Sequence, residues 1–190
     1  MAANVTARCS KQYFPAKNDS GPRPRSYIRS VVIHCTEGHS DEGAAGYFHQ
    51  GGTSAHPAGS TQLVVDDDSC YRCLRDLTIP WGAPPLNSHG VHIEQAGFSA
   101  WTRDEWLQHR GTIRRAAFHA ARWCKAYGIP RVWLDADNLH AKGESARGLT
   151  SHNNVSLAFR QSTHTDPGPH YPVDLFMREL NAFYKRLASS

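Results

Sequence analysis

Two histidines and an aspartate, far apart in the chain, form the pattern with the most chemical content in this 190-residue sequence. His34 ends the apolar run at residues 31–33, His152 lies far downstream, and Asp166 follows His152 at a short distance. A strand-end histidine, a distant second histidine and a nearby carboxylate suit a zinc ion whose fourth position is left to water. The pattern therefore indicates a hydrolytic site rather than a closed structural one.

The chemistry of such a set follows from its charge. Two neutral imidazoles and one carboxylate leave the ion with net positive charge, which lowers the pKa of bound water toward about 7 and polarises a substrate carbonyl. Each residue alone also has an ordinary structural use: His34 can cap a strand, His152 can bond loop amides, and Asp166 can form a turn before Pro167. The joint pattern favours metal binding.

The composition is typical of one soluble globular domain, with 39% hydrophobic and 20% charged residues. No apolar run approaches the roughly 18 residues of a membrane span, so we expect no membrane segment. Residues 1–8 lack the apolar core of a signal peptide. The formal charge of +4 comes from dispersed basic residues, so we expect no nucleic-acid partner; an anionic cell-wall polymer and an ordinary basic surface both fit.

The five cysteines are odd in number and irregularly spaced. A disulfide scaffold has an even, denser set, and the single Cys70-x-x-Cys73 lacks the second pair of a zinc ribbon. We expect ordinary buried or half-buried thiols of a chain made in a reducing compartment. The acidic run at residues 66–68 could bind calcium, but such a run in a hairpin turn is usually only solvated.

Hydrophobic periodicity and turn signals predict the secondary structure. The predicted strands are residues 27–34, 55–65, 71–74, 89–95 and 132–134. The predicted helices are residues 41–50, a long helix from a Thr102–Glu105 capping box to Gly128, and residues 173–187. Residues 139–147 are predicted as a polar loop and residues 148–170 as a functional loop. Strands that alternate with helices favour an α/β domain with a mixed sheet, over residues 26–188, after an irregular lead-in at 1–25.

Six segments of the chain resemble a known family, in that family's order. They are Val32-Ile33-His34-Cys35-Thr36, Thr53-Ser54-Ala55-His56, Trp81-Gly82-Ala83, Ser88-His89-Gly90-Val91-His92-Ile93-Glu94, Ser151-His152-Asn153 and His164-Thr165-Asp166-Pro167-Gly168. Over residues 25–185 the chain is similar to type 2 N-acetylmuramoyl-L-alanine amidases, which include T7-type lysozyme and peptidoglycan-recognition proteins. The resemblance is closest to the amidase module of a bacteriophage endolysin, and it suggests a mycobacteriophage. It implies a central mixed β-sheet flanked by helices.

The resemblance also implies a reaction and its residues. The reaction is hydrolysis of the amide between the lactyl group of N-acetylmuramic acid and L-alanine in bacterial peptidoglycan, which lyses the cell wall. By position, His34, His152 and Asp166 bind zinc, and Glu94 is the general base toward water and then the acid toward the leaving amine. Without the resemblance, Glu94 could equally be a strand residue with no task.

His164 departs from the family pattern, in which lysine is common. It is expected to stabilise the oxyanion by donating a hydrogen bond or, when protonated, as a cation, which adds a pH dependence that lysine lacks. The alternative is that His164 takes the metal position, with Asp166 as its hydrogen-bond partner.

Other side chains are expected to contact the substrate. These are His56, Trp81, His170 and Tyr171, because sugars pack well against aromatic faces. Gly82 stands where many relatives have histidine, so no contact from that side chain is expected, and Cys35 is expected to be a packed spectator.

Two rival functions use the same fold or the same metal. One is a non-catalytic muropeptide-binding module, which the intact ligand set disfavours, and the other is a zinc peptidase acting within the stem peptide. The expected partner is bacterial peptidoglycan, for a monomer that is part of a longer multi-module endolysin. The endolysin resemblance implies accumulation in the host cytoplasm and action on the wall once the membrane is permeabilised.

Overall fold

The strands form one mixed sheet in the computed structural model, which describes residues 13–189. In chain order they are β1 (Ser30–Cys35), β2 (Leu63–Val65), β3 (Cys70–Arg72), β4 (Gly90–Gln95) and β5 (Gly148–Ser151). Their order across the sheet is β3-β2-β4-β1-β5, with β3 antiparallel to β2 and the other neighbours parallel. The predicted α/β class with a mixed sheet is confirmed.

Within residues 13–189, six α-helices lie between and after the strands. They are α1 (Asp41–Gln50), α2 (Arg103–Gln108), α3 (Arg110–Tyr127), α4 (Ala136–Lys142), α5 (His152–Phe159) and α6 (Val173–Ala188). Helices α3 and α6 pack on one face of the sheet, while α1, α4 and α5 pack on the other. Within residues 13–189, none of these helices has the length and apolarity needed to cross a membrane.

The alternation in β4 divides its side chains between the two faces, as predicted. Val91 and Ile93 are fully buried against the α3–α6 layer. His92 and Glu94 point to the other face, where both approach His34 of the neighbouring strand β1. Since successive residues of a strand face opposite sides, one short strand supplies both core and site.

The predicted long helix is divided into α2 and α3 at His109, and a contact from a distant turn explains the division. The Thr102–Glu105 capping box at the start of α2 is present, as predicted. His109 has φ −102° and ψ 43°, and its Nδ1 lies 2.7 Å from Asp67 Oδ2. The other oxygen of Asp67 accepts the Thr112 N–H at 2.9 Å and so satisfies one of the free donors at the start of α3.

The secondary structure of several segments was predicted wrongly. Residues 55–62 are not a strand, and residues 132–134 contribute only an isolated bridge between Trp133 and Leu149. Much of the predicted loop at 139–147 is helical, because Asp135 caps α4 by accepting the Asn138 N–H at 2.8 Å. The predicted loop at 148–170 begins with β5 and α5.

The cysteines follow the prediction with one exception. Cys35, Cys73 and Cys124 are buried free thiols, and burial raises the pKa of Cys73 and Cys124 to about 12. Cys70 is disulfide-bonded, so the expectation that it is a thiol was wrong; an odd, irregular set of cysteines does not exclude a single bond. Its partner, like the signal-peptide region, lies outside the described residues.

Candidate active site

Three elements bring the predicted metal ligands together at one edge of the sheet. His34 lies near the end of β1, and His152 is the first residue of α5, directly after β5. Asp166 comes from the loop before α6. Because β1 and β5 are parallel neighbours, their carboxyl ends meet at the same edge, where open α/β sheets commonly bind ligands.

The ligand geometry centres on the carboxylate of Asp166. Its Oδ2 lies 3.0 Å from Nδ1 of His34, and its Oδ1 lies 3.1 Å from Nδ1 of His152. One ligand atom from each of the three residues lies within 4.8 Å of the others, and all three residues are buried. Two imidazole nitrogens and one carboxylate oxygen are a donor set that fits zinc.

The charges in this group suit metal binding. Burial raises the pKa of Asp166, but hydrogen bonds from the surrounding imidazoles outweigh that effect and leave the pKa well below its usual value. Burial lowers the pKa of His152 to about 4, although Asp166 opposes the shift. At neutral pH the group therefore combines an ionised carboxylate with a neutral imidazole at His152, as ligands require.

The ring nitrogens that face away from Asp166 also have partners. Nε2 of His152 lies 3.2 Å from Ser162 Oγ, and Nε2 of His34 lies 3.0 Å from Nδ1 of His92. Such outer contacts fix the orientation of a ligating histidine. Sequence reasoning missed both partners, although the alternation in β4 placed His92 on the correct face.

Glu94 lies beside the ligand group. It pairs with His34 in the register of the parallel strands, and its Oε1 is 3.9 Å from His34 Nδ1. Its Oε2 is buried and has no hydrogen-bond partner among the described residues. Burial raises the pKa of Glu94 well above its usual value, and the Asp166 carboxylate raises it further. A carboxyl group that favours its protonated form more than an exposed glutamate does therefore lies next to the three predicted ligands.

The group lies in an open cleft of about 830 Å³. Walls of mixed polarity surround it, from α1, from the loop after β1, and from residues 163–165. Tyr47 and Trp81 supply aromatic side chains that are 51% and 39% exposed. The cleft is thus open enough for a large substrate and deep enough to reach buried ligands.

A family model described as N-acetylmuramoyl-L-alanine amidase (Amidase_2) matches residues 23–169. The chain belongs to this amidase family. The comparison with curated proteins found no match.

Solved structures agree with the amidase fold. The hydrolase AmiA of Staphylococcus aureus, determined in complex with its ligand, is 15% identical, with a TM-score of 0.70 over 98% of this chain and 89% of that one. The N-acetylmuramoyl-L-alanine amidase LysC of Clostridium intestinale is 14% identical, with a TM-score of 0.53 over 90% and 99%. A mutant endolysin from Bacillus subtilis is 15% identical, with a TM-score of 0.56 over 87% and 92%.

His164 lines the cleft of this amidase at its rim. Its ring stacks on His152 with centroids 4.5 Å apart, and its Nδ1 lies 3.6 Å from Asp166 Oδ1. The side chain is 67% exposed. Among the described residues, the group around His34 and His152 that could hold a metal ion contains Asp166 and not His164, which disfavours His164 as a ligand.

The expected substrate contacts divide into three cases. Trp81 lines the cleft, and its Nε1 donates to Ser20 Oγ at 2.7 Å. His56 and His170 are exposed but do not line the cleft, so the structure does not bring them to the ligands. Tyr171 is buried and donates its hydroxyl to Gln95 Oε1 at 3.0 Å. The prediction that Tyr171 lies in the groove was wrong, because its apolar ring packs in the core.

Tyr47 and His39 line the cleft but were not predicted. Tyr47 lies on α1, whose apolar residues gave no reason to choose an exposed tyrosine as functional. His39 follows β1 closely, and its position after a ligand-bearing strand was the available signal.

Proposed function

We propose that this protein is a zinc-dependent N-acetylmuramoyl-L-alanine amidase, which hydrolyses the amide between N-acetylmuramic acid and L-alanine in bacterial peptidoglycan. The observation that carries the proposal is the convergence of His34, His152 and Asp166 on one point beside Glu94, within a chain of the amidase family. These three residues would hold the zinc ion. A zinc ion supplies Lewis acidity that activates water and polarises the scissile carbonyl.

Glu94 moves the protons of the reaction. Its carboxylate accepts a proton from the attacking water and then donates that proton to the nitrogen of the leaving L-alanine. The raised pKa of Glu94 favours this role, because a more basic carboxylate takes up the proton of the attacking water more readily. The unpartnered Oε2 leaves one carboxylate oxygen available for the transfer.

His164 stabilises the negative charge that develops on the carbonyl oxygen. The neighbouring Asp166 carboxylate raises the pKa of His164, and a protonated ring carries donors on both nitrogens.

The open cleft suits a polymeric substrate. Trp81 contacts the sugar or peptide at the cleft wall, and a polymer that extends past the cleft can reach His56 and His170 on the surface. We assign the protein to the bacteriolytic enzymes of the endolysin kind, acting as a monomer within a longer protein. It reaches the cell wall from the host cytoplasm after the membrane is permeabilised.

The first experiment measures zinc per chain by elemental analysis and hydrolysis of purified cell walls before and after chelation. We expect one zinc per chain, loss of hydrolysis with chelator and recovery with added zinc. The product should carry a new free amino group on L-alanine, with glycan strands and cross-links intact. A folded protein that binds muropeptide without zinc or hydrolysis would instead be a recognition module, and a new amino group within the stem peptide would indicate a peptidase.

Variants separate metal binding from proton transfer. Glu94→Gln keeps the shape of the side chain but removes the base, so it should retain zinc and lose activity by about 10²–10⁴-fold. His34→Ala should lose both zinc and activity, because it removes a ligand. Wild-type hydrolysis by Glu94→Gln would exclude Glu94 as the general base.

A further inference from the structure

His92 is a fully buried histidine that contacts a ligand histidine but is not itself in the ligand group. Its Nδ1 lies 3.0 Å from Nε2 of His34, and the two rings stack with centroids 5.1 Å apart and planes 22° apart. The contact joins the neighbouring strands β1 and β4 on the face that carries the site.

The role of this contact depends on which ring nitrogen of His34 carries the proton. Nδ1 of His34 faces Asp166, so this nitrogen is the one that would give its lone pair to a metal ion. When Nδ1 binds a metal ion instead of donating its hydrogen to Asp166, the neutral ring carries its single proton on the other nitrogen, Nε2. A buried N–H without an acceptor costs about 1–3 kcal/mol, so Nε2–H needs a partner. The acceptor within hydrogen-bond distance is Nδ1 of His92.

His92 is held so that it can accept. Its backbone N–H donates to Gln62 Oε1 at 2.8 Å, and its carbonyl accepts from Thr61 Oγ1 at 2.9 Å. Two glycines leave space for its ring: a Cβ at Gly82 would lie 2.4 Å from its Nδ1, and a Cβ at Gly90 would lie 2.7 Å from its Nε2.

We propose that His92 is a positioning residue, whose Nδ1 accepts the Nε2–H of His34 and so keeps Nδ1 of His34 directed at the metal. This inference rests on the proposed zinc site. It adds a residue that binds neither substrate nor metal. It also places the proton of a neutral His92 ring on Nε2, a buried nitrogen with no hydrogen-bond partner among the described residues.

A matched pair of variants tests the hydrogen bond apart from the packing. In His92→Asn the side-chain oxygen lies as many bonds from Cβ as Nδ1 does and can accept the same proton. His92→Leu has the same branched shape as asparagine but no acceptor. Zinc affinity is measured by competition with a chromophoric chelator, and circular dichroism and thermal unfolding of the metal-free variants check the fold.

We expect His92→Leu to bind zinc about 10–100-fold more weakly than wild type, and His92→Asn to recover most of that affinity. In zinc-loaded protein labelled with ¹⁵N-histidine, the Nε2–H resonance of His34 should be protected from exchange in wild type and His92→Asn and unprotected in His92→Leu. Equal zinc affinity in wild type and His92→Leu would overturn the inference and leave the zinc site intact. Equal loss in both folded variants would also overturn it, because shape and not the acceptor would then matter. Absence of zinc binding by wild type would instead overturn the proposed function on which the inference rests.

Discussion

Asp41 has a fully buried carboxyl group at the start of α1, outside the candidate site. Its Oδ2 accepts a hydrogen bond from Ser69 Oγ at 2.8 Å, while its Oδ1 has no partner among the described residues. Burial raises the pKa of Asp41 to about 8, and the neighbouring carboxylate of Asp66 adds to the rise. Between about pH 4 and pH 8 the folded chain therefore keeps a proton that the unfolded chain releases.

The sign of the resulting pH dependence follows from this proton. Rising pH favours the state with fewer protons, so the free energy of unfolding should fall from about pH 4 to pH 8, by at most about 1.4 kcal/mol per pH unit. Asp41→Asn replaces the protonated acid with an amide, so its stability relative to wild type should increase over the same range. Urea unfolding at pH 5 and pH 8 measures the difference.

Glu42→Gln is the control for Asp41→Asn, since it removes an exposed carboxylate from the same helical turn. It should leave the pH dependence close to that of wild type. A gain for Asp41→Asn that is the same at pH 5 and pH 8 would show that Asp41 is ionised in the folded protein at both values.

Residue chemistry and order along the chain predicted that His34, His152 and Asp166 converge, but not what surrounds them. The chain has 12 histidines and 17 acidic residues, so His34, His152 and Asp166 were singled out by the resemblance to the amidase family. The partners of their outer nitrogens, His92 and Ser162, depend on how the strands and loop are packed. No local pattern encodes that packing.

The loop around Gly82 and the strand β4 must fit together for His92 to reach His34. The backbone of Gly82 is not in the left-handed region, so alanine is conformationally permitted there. The Cβ would nevertheless lie 2.4 Å from Nδ1 and 2.9 Å from Cε1 of His92. The requirement for glycine therefore comes from the neighbouring ring and not from the backbone.

This fit predicts a non-additive double mutant. Gly82→Ala in the wild-type background should destabilise the protein by about 1–3 kcal/mol, because the clash displaces a packed ring. In the His92→Ala background the ring is absent, so Gly82→Ala should cost much less, with a coupling energy of about 0.5–3 kcal/mol. Urea unfolding of the four proteins gives the coupling. If the free-energy costs of the two substitutions simply add, the strain caused by Gly82→Ala lies elsewhere in the loop.

The ends of helices were predictable where the residues that cap them are close to them in the sequence. The capping box of α2 and the left-handed Gly128 after α3 are short-range features, and both are present. The break at His109 was not predictable, because the cap of α3 comes from Asp67 in a distant turn. Helix α4 was missed because only Leu139 of its seven residues is buried, which leaves no apolar stripe to detect.

The candidate site brings together parts of the chain that are far apart in the sequence. His34 and Asp166 are separated by 132 positions in the sequence but lie 3.0 Å apart. The three ligands join β1, the start of α5 and the loop before α6, and these parts pack on one sheet. A metal ion at this point would close long loops of the chain, so its binding energy should stabilise the folded state as a whole.

The thermal midpoint should therefore depend on zinc. A ligand that binds only the folded state at 100 times its dissociation constant adds about 2.7 kcal/mol, which corresponds to roughly 5–10 °C for a domain of this size. Calorimetry of the chelated protein and of protein with increasing free zinc measures the shift. Asp166→Ala should show no zinc-dependent shift because it lacks a ligand, while His164→Ala should keep the shift because His164 is outside the ligand group. If zinc binds to wild type and leaves its thermal midpoint unchanged, the ion is not held between these three elements. If His164→Ala also loses the zinc-dependent shift, His164 is a ligand, and the rim position assigned to it is incorrect.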